Sequence, residues 1–306
     1  MTRRGWLLFG AMCLIWGIPY LLIKVAVRHL TPADLVFGRT AIGTVLLLPI
    51  ALGRGQIRPL LAKWRSLLLY SLVEIAIAWL LLSEAETHIS SSLSGLLVAA
   101  VPLVGVVIVR VSGSQDRLTG ARLLGLLMGI AGVAAVLGFD LGHITVASIL
   151  EMAVVVCCYA LGPQILARRL SDLPSLGVVS GSLAICTVLY APFAILQRPT
   201  HVPTLPVIGA VVALGVICTA IAFLVFFALI AEVGPVRATV ITYINPAVAV
   251  ALGVALLHEH LTLGVAFGFA LVLGGSVLAT RAGGSSPKGP MVSTAPAGSE
   301  LPVAGF

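Results

Sequence analysis

Charged side chains are scarce in this chain. Of its 306 residues only 9% are Asp, Glu, Lys or Arg, whereas 59% are hydrophobic, and the mean hydropathy is +1.15. A soluble domain carries about 25% charged residues, which cover the surface that faces water. The shortage of charge therefore excludes an ordinary water-soluble enzyme or regulator and indicates a protein that resides in lipid.

Motifs that carry common chemistry are missing as well. The sequence has no P-loop, no GxSxG nucleophile elbow and no dinucleotide fingerprint. We therefore expect no enzyme activity, no catalytic residue and no cofactor. The segment His258–His260 is not an HExxH site, because its i, i+2 spacing places the two rings on different sides of a helix. The five cysteines lie in apolar runs without a CxxC pair, so we expect neither a metal site nor a disulfide.

What the chain does have is a series of apolar runs separated by short polar breaks. A helix needs about 20 apolar residues to cross the hydrocarbon layer, and in lipid each backbone group must be satisfied within its own segment. The sequence therefore predicts an all-α membrane protein with ten transmembrane helices. The predicted spans are residues 6–26, 33–52, 66–83, 89–110, 120–139, 146–166, 175–196, 206–230, 235–257 and 262–281.

The net charge of +7 has a topological explanation. With the N-terminus in the cytoplasm, only Arg28 and Arg198 of the eighteen Lys and Arg residues fall on the outer side. Lys24 and Arg39 fall within helices, which leaves fourteen on the cytoplasmic side. This bias follows the positive-inside rule. It predicts that both termini are cytoplasmic, and it explains the basic charge without a nucleic-acid partner.

The chain repeats itself at a constant offset of 143 or 144 residues. This regularity indicates an internal duplication, which in an apolar chain is typical of transporters. The matching blocks are Ala41–Pro49 with Ala184–Pro192, Ala76–Trp79 with Ala220–Phe223, and Asp116–Thr119 with Glu259–Thr262.

An odd number of helices in each half has a consequence for orientation. With five helices per half, the second half enters the membrane in the opposite sense, so the count predicts two inverted repeats. We place the first repeat at residues 1–143 and the second at 144–282, followed by a disordered cytoplasmic tail at 283–306. Duplication without transport, in a channel or a scaffold, is the alternative.

Helix breakers occur at matching places in the two halves. Each proline removes a backbone hydrogen bond and frees a carbonyl, so we predict that these positions interrupt their helices. We assign hinge roles to Gly17, Pro19, Pro102 and Pro246, and ordinary kinks are the alternative. The breakers are Gly17 and Pro19 in the first predicted helix, Gly162 and Pro163 in the sixth, Pro102 in the fourth and Pro246 in the ninth.

Stripes of small residues mark the fifth and tenth predicted helices. Gly125–Gly129 and Gly264–Gly268 both read small-xxx-small, a pattern that lets helix backbones approach closely. Packing within one chain and a homodimer through helices five and ten explain the stripes equally well.

Ionisable groups inside the bilayer cost about 2.5–3.5 kcal/mol near a helix centre, so each needs a reason. Glu74 is our proton-coupling candidate, and a permanent ion pair with Arg39 or Lys24 is the alternative. Lys24 can instead extend its charge to the membrane surface, and Glu151 is either a gate residue or a first-turn acid. The predicted substrate-binding residues are Trp16, Tyr20, Arg39, Glu74, Trp79, Tyr243 and Asn245.

The chain resembles the EamA-type members of the drug/metabolite transporter superfamily over residues 6 to 281. The resemblance implies a ten-helix carrier of the bacterial cytoplasmic (inner) membrane that exports or exchanges metabolites, amino acids or drugs by alternating access. Asp116 departs from the expected Glu, and Glu84, Glu86 and His88 add charge near the end of the third helix. The matching features are Ile15–Pro19 followed by Lys24, Arg39, the Ala-rich stretch ending in Pro102, Gly234–Pro235, Asn245–Pro246, and Glu259–Thr262 with Gly268.

We therefore expect a secondary active transporter whose partners are a small-molecule substrate, protons and the lipid bilayer. Proton-coupled export is the simplest mechanism that uses Glu74. A passive facilitator or channel of the same fold is the alternative, and a membrane-embedded enzyme acting on lipid-linked substrates is a more remote one.

Overall fold

A computed structural model of the chain is helical throughout the part that it describes. No β-strand occurs within that part. The described residues are 1–111, 120–139, 145–197, 202–238, 240–260 and 262–281.

The first half contains eight α-helices, a short 3-10 helix at Arg58–Lys63 and a π-helical segment at Ser71–Ile77 between two α-helices. The α-helices are α1 Arg3–Ile15, α2 Pro19–Ala26, α3 Pro32–Gly53, α4 Trp64–Tyr70, α5 Ala78–His88, α6 Ser91–Val98, α7 Val101–Val111 and α8 Gly120–Phe139.

The described part of the second half also contains a π-helical segment, at Val216–Ile221. Its α-helices are α9 Val146–Arg169, α10 Ser175–Leu196, α11 Leu205–Gly215, α12 Ala222–Val233, α13 Pro235–Ala238, α14 Ile241–Leu257 and α15 Leu263–Arg281.

Seven helical stretches in the described part are long and apolar enough to cross a membrane, which agrees with the predicted all-α membrane class. They are Arg3–Ala26, Pro32–Gly53, Arg58–His88, Ser91–Ile108, Val146–Arg169, Ser175–Leu196 and Leu205–Val233. Shorter apolar helices occur at Leu123–Ala135, Ile241–Leu257 and Leu263–Ala279.

The predicted interruptions occur in the first half. Helix α1 ends at Ile15 and α2 begins at Pro19, which has no N–H to donate to the preceding turn. Pro102 follows a second break, since α6 ends at Val98 and α7 begins at Val101. The break before α2 and the break before α7 are therefore confirmed, and the hinge roles stay predictions.

The corresponding interruptions in the second half were predicted wrongly. Gly162 and Pro163 lie inside the continuous helix α9, and Pro246 lies inside the continuous helix α14. An internal proline costs a helix about 3 kcal/mol, but neighbouring helices can hold the segment straight. Helix α9 packs against α5 and the Ser71–Ile77 segment, and α14 packs against α1 and α6. Tertiary packing therefore outweighs the local effect of proline in this half.

The two π-helical segments occupy equivalent places in the duplication. A shift of 144 residues carries residues 72–77 onto Val216–Ile221. A π turn closes its hydrogen bonds from i to i+5, and such turns are rare and frequent at functional sites. The equivalent of Glu74 in the second segment is Cys218, so the two halves place different chemistry at the same point.

Equivalent helices of the two halves pack against each other in antiparallel pairs. A Cβ on Gly125 would lie 2.7 Å from the carbonyl oxygen of Gly275, and a Cβ on Gly132 would lie 2.7 Å from that of Gly268. The residue numbers of the contacts therefore increase along α8 and decrease along α15, so the two helices are antiparallel. Helix α3 and its equivalent α10 also pack together in opposite directions, because Gly177 near the start of α10 lies against Gln56, just after the end of α3.

The glycine stripes are used within the chain. Gly125 faces the backbone of α15, and Gly129 faces the side chain of Leu103 in α7. The interpretation of the stripes as packing surfaces is thus confirmed for these two positions. A homodimer through helices five and ten stays a prediction, and it would have to use other faces of α8 and α15.

Candidate functional site

Arg39 lies in the middle of α3 and is the centre of a cluster that joins the two halves. Its side chain is buried, with 7% of the residue exposed. The Nε–H group donates to the Thr219 hydroxyl at 2.9 Å, and the guanidinium carbon lies 3.6 Å from the ring centroid of Trp79. A desolvated cation–π contact contributes about 2 kcal/mol. Two of the predicted substrate-binding residues, Arg39 and Trp79, are therefore in direct contact.

Glu74 projects from the first π segment toward α9. Its Oε2 atom is buried against Gly162, where any Cβ would overlap the carboxyl group. Within the described residues this oxygen has no hydrogen-bond partner. The absence of a side chain at Gly162 thus creates the space that the carboxyl group occupies, and Glu74 points between helices.

The predicted ion-pair alternative for Glu74 is wrong for the described part of the chain, where Glu74 has no basic side chain within 4 Å. The guanidinium of Arg39 stacks on Trp79, and the Lys24 ammonium donates to the carbonyl oxygens of Glu86 at 2.6 Å and Ile89 at 2.7 Å. Arg39 thus has an aromatic ring and a hydroxyl group as its partners, and Lys24 has backbone oxygens.

The Lys24 ammonium thus donates hydrogen bonds to carbonyl groups at the end of α5, where a positive charge also complements the helix dipole. Whether its charge reaches the membrane surface stays a prediction. The contact joins α2 to the end of α5, across the loop that begins α6. Tyr20, one turn earlier on α2, is buried in the same core as Leu82 and Ile89.

Tyr159 of α9 was not among the predicted site residues, but it lies near the ionisable groups of Arg39, Glu74 and Glu86. It is partly buried and packs against two core clusters, one that contains Tyr20 and one that contains Trp79. One signal pointed to it: Tyr159 precedes the Gly162–Pro163 pair by about one helical turn, so it faces the same neighbouring helix as the glycine.

Trp16 stands at the C-terminus of α1 in an aromatic group with α12. Its ring centroid lies 4.7 Å from that of Phe226 and 6.1 Å from that of Phe223. Phe223 is the repeat equivalent of Trp79. The break after Ile15 separates Trp16 from Tyr20, so these two predicted substrate-binding residues pack in different core clusters.

Asn245 of α14 binds the backbone at that break. Its amide nitrogen donates to the carbonyl oxygens of Cys13 at 3.2 Å and Ile241 at 3.0 Å. The Cys13 carbonyl needs a donor because the Gly17 N–H bonds to Leu14 instead. A Cβ on Gly17 would lie 2.5 Å from the Cβ of Val248, so glycine permits the close approach of α14.

Two further predicted residues, Tyr243 and Glu151, lie on α14 and α9. Tyr243 is partly buried on α14, two residues before Asn245. Glu151 begins the second turn of α9, so it is not a first-turn acid, and it lies near Glu84 and His88. Thr239, four residues before Tyr243, lies outside the described residues.

The loop after α14 closes one end of the bundle through Glu259. Its carboxylate accepts hydrogen bonds from the Ser91 N–H at 2.8 Å and hydroxyl at 3.0 Å, and from the Ser92 N–H at 2.9 Å and hydroxyl at 2.5 Å. Burial alone would raise the pKa of Glu259, but the hydrogen bonds from Ser92 and Ser91 outweigh burial and lower it. The carboxylate therefore holds its charge at the N-terminus of α6.

Polar contacts also join the opposite end. The Lys63 ammonium lies 2.5 Å from a carboxylate oxygen of Asp172, and the Thr2 hydroxyl donates to Glu232 at 2.5 Å. Both contacts bring a segment of the first half onto a segment of the second. The Arg39 and Glu74 groups lie between these two ends.

Comparison with known proteins gives a consistent result. A model of the EamA-like transporter family matches residues 3–138 and again residues 146–281. The uncharacterized transporter YvbV of Bacillus subtilis (strain 168) is 28% identical over 277 residues, which cover 89% of this chain and 90% of that protein.

Two further similarities extend across most of the chain. The uncharacterized inner membrane transporter YedA of Escherichia coli (strain K12) is 28% identical over 289 residues, covering 83% of this chain and 84% of YedA. A protein of known crystal structure superposes with a TM-score of 0.63 at 23% identity, over 92% of this chain and 98% of its own. The structural likeness establishes the fold alone.

Proposed function

The chain belongs to the EamA-like transporter family, and on that basis we propose that it is a secondary active transporter that exchanges protons for a small substrate. The substrate is a metabolite, amino acid or drug-like compound that the protein exports or exchanges by alternating access. The relatives support membrane transport, and the site supports the coupling.

The mechanism uses two inverted repeats, at residues 1–143 and 144–282. The two family matches fall within these bounds. The antiparallel packing of α8 on α15 supports the inversion, because equivalent helices that cross a membrane in opposite directions are related by an axis in its plane. Two related halves can then exchange conformations and expose a central site to one side at a time.

We propose ten membrane crossings with both termini in the cytoplasm. The seven long apolar stretches and the three shorter apolar helices together supply that number. The positive-inside bias of the sequence supports the orientation.

The observation that carries the proton coupling is the Glu74 carboxyl group, buried against Gly162 with one oxygen unpaired in the described chain. A carboxyl group in such a place can hold a proton in one conformation and a substrate in another. Arg39, fixed by Trp79 and Thr219, keeps its positive charge and orients a polar substrate. Trp16, Tyr20, Tyr243 and Asn245 complete the proposed path.

Glu74→Gln tests the coupling. A thermal-shift screen with amino acids and small metabolites identifies a substrate, and the purified protein is then reconstituted in phosphatidylethanolamine–phosphatidylglycerol vesicles. We expect the variant to lose the acceleration that a pH gradient gives the wild type, and any exchange of labelled for unlabelled substrate that it keeps should be weaker and independent of pH. Gln keeps the shape of a protonated Glu and cannot release a proton.

The matched control is Glu84→Gln, ten residues further along the same helical stretch and outside the proposed path. It should keep the wild-type response to the gradient. Equal gradient-driven flux in Glu74→Gln and wild type contradicts coupling through Glu74. Substrate added to the opposite side of the membrane accelerates flux through a carrier. If it does not accelerate flux through this protein, the protein is a passive facilitator or channel.

A further inference from the structure

A second carboxyl group is buried more completely than Glu74. Glu86, near the end of α5, is 0% exposed, and neither of its carboxyl oxygens has a hydrogen-bond partner within the described chain. Lys24 binds the backbone carbonyl of Glu86 and leaves its carboxyl group without that donor. The EamA-like features that the sequence matches do not include this position.

The serines at the start of α6 bind other acceptors. The Ser94 hydroxyl lies within reach of the Glu86 carboxyl group, but it donates to the Ser90 carbonyl at 3.2 Å. The Ser91 and Ser92 donors bind Glu259. The titratable groups that face Glu86 from the packed elements are Tyr20 and Lys24 of α2, Tyr159 of α9, and Glu259 of the loop after α14.

An ionised carboxylate without hydrogen bonds is far more costly to bury than a neutral carboxylic acid. The arrangement around Glu86 therefore favours the form that carries a proton while the end of the bundle is closed. We propose that Glu86 is a second proton-binding site, in addition to Glu74. This proposal rests on the proposed transport function, for which it supplies a second proton.

The position of Glu86 gives that proton a route. Glu74 and Glu86 are twelve residues apart on one helical stretch, about 18 Å along its axis. Helix α9, which carries Tyr159, packs against both the π segment that holds Glu74 and the helix α5 that holds Glu86. When the loop that holds Glu259 moves away, water reaches Glu86, its O–H bond breaks, and water accepts the proton. Lys24 then offsets the charge of the carboxylate that remains.

Infrared spectroscopy of the substrate-free protein tests the proposal. The protein is reconstituted in phosphatidylethanolamine–phosphatidylglycerol vesicles, and the carboxylic-acid C=O band is followed as the buffer is changed from acidic to alkaline. In the wild type, we expect the C=O band of protonated Glu86 to disappear as the pH rises. Glu86→Gln should lack this band at every pH. Glu74→Gln should keep it and lack a different band, that of Glu74. Glu84→Gln, two residues away on the same helix, keeps both.

Gln has the shape of a protonated Glu, so Glu86→Gln should fold with at least the thermal stability of wild type at neutral pH. A large loss of stability in Glu86→Gln overturns the proposal, because it indicates a permanent charge paired with Lys24. Glu86→Asp, which retains a proton-binding group, should shift the band in frequency and not remove it.

A Glu86 band that is missing from wild type, or that stays constant through the titration, also overturns the proposal. The titration uses neither substrate nor gradient. Its failure is therefore distinguishable from a failure of proton-driven flux in the Glu74→Gln experiment.

Discussion

The hydroxyl groups of Thr44 and Thr187 lie 3.1 Å apart and share a hydrogen bond, although 143 residues separate them in the chain. The Thr187 hydroxyl donates to the Leu183 carbonyl at 2.8 Å, so Thr44 is the donor to Thr187. The separation equals the offset of the duplication. Residues that are equivalent in two repeats can touch only at the axis that relates them, so this bond marks the centre of the α3–α10 contact.

The Thr44–Thr187 bond should be measurable as a coupling energy. Thr44→Val and Thr187→Val each destabilise the protein, and the double variant should lose less than the sum, by about 0.5–1 kcal/mol. Unfolding in detergent, followed by tryptophan fluorescence, gives the three differences. Strict additivity would contradict the contact. Thr87→Val, at an exposed site on α5, serves as the control.

Gly162→Ala should damage the site that holds Glu74. The added methyl group overlaps the carboxyl group, and overpacking of this kind typically costs 1–3 kcal/mol, so we expect a loss of about that size in thermal unfolding. Gly209→Ala is the matched control, because a Cβ on Gly209 of α11 has no atom within 4 Å. The control should be neutral or stabilising, since Ala favours helix.

A second substitution checks the cause of that loss. Combining Gly162→Ala with Glu74→Ala removes the obstructing carboxyl group and should restore part of the lost stability. If the loss of stability in the double variant equals the sum of the losses in the two single variants, Glu74 is not the obstructing group.

Thr219→Val should leave the Arg39 Nε–H group buried without its acceptor. The substitution preserves the volume of the side chain, so the expected loss of about 1–3 kcal/mol reports the missing hydrogen bond. Chemical unfolding in detergent provides the measurement. An unchanged midpoint would show that the cation–π contact with Trp79 alone fixes the guanidinium.

The contact of Glu259 with Ser91 and Ser92 should make stability depend on pH. The folded-state pKa of Glu259 lies below its ordinary value of 4.5, because hydrogen bonds outweigh burial. Its contribution is therefore complete above that ordinary value and is lost as the pH falls through the folded pKa. We expect the melting temperature to drop between neutral and acidic buffer, and the drop to be smaller in Glu259→Gln. An identical drop in the variant would refute the assignment.

The sequence predicted the helical membrane class and the duplication because both depend on patterns that repeat along the chain. The contact between Arg39 and Trp79 joins segments that are distant in the chain, so the sequence could propose both residues for the site but could not predict that they touch. Charge reasoning paired Glu74 with Arg39 or Lys24. In the folded chain Arg39 contacts the Trp79 ring and the Thr219 hydroxyl, and Lys24 contacts backbone carbonyl groups. The spacing of residues in the sequence does not reveal these partners.

The prolines show the same limit. Pro19 and Pro163 are equivalent in sequence, yet the first follows a break and the second lies inside a continuous helix. The local rule for proline is identical at both places. The neighbouring helices decide the outcome, and their positions follow from the whole fold.

The paired π segments also bear on the history of the chain. A π turn holds one residue more than the α turn that it replaces, so inserting a single residue into an α-helix would produce such a segment. Both halves carry that extra residue at the same place. A single insertion before the gene doubled explains this more simply than two later events, which makes the irregular turn older than the second copy.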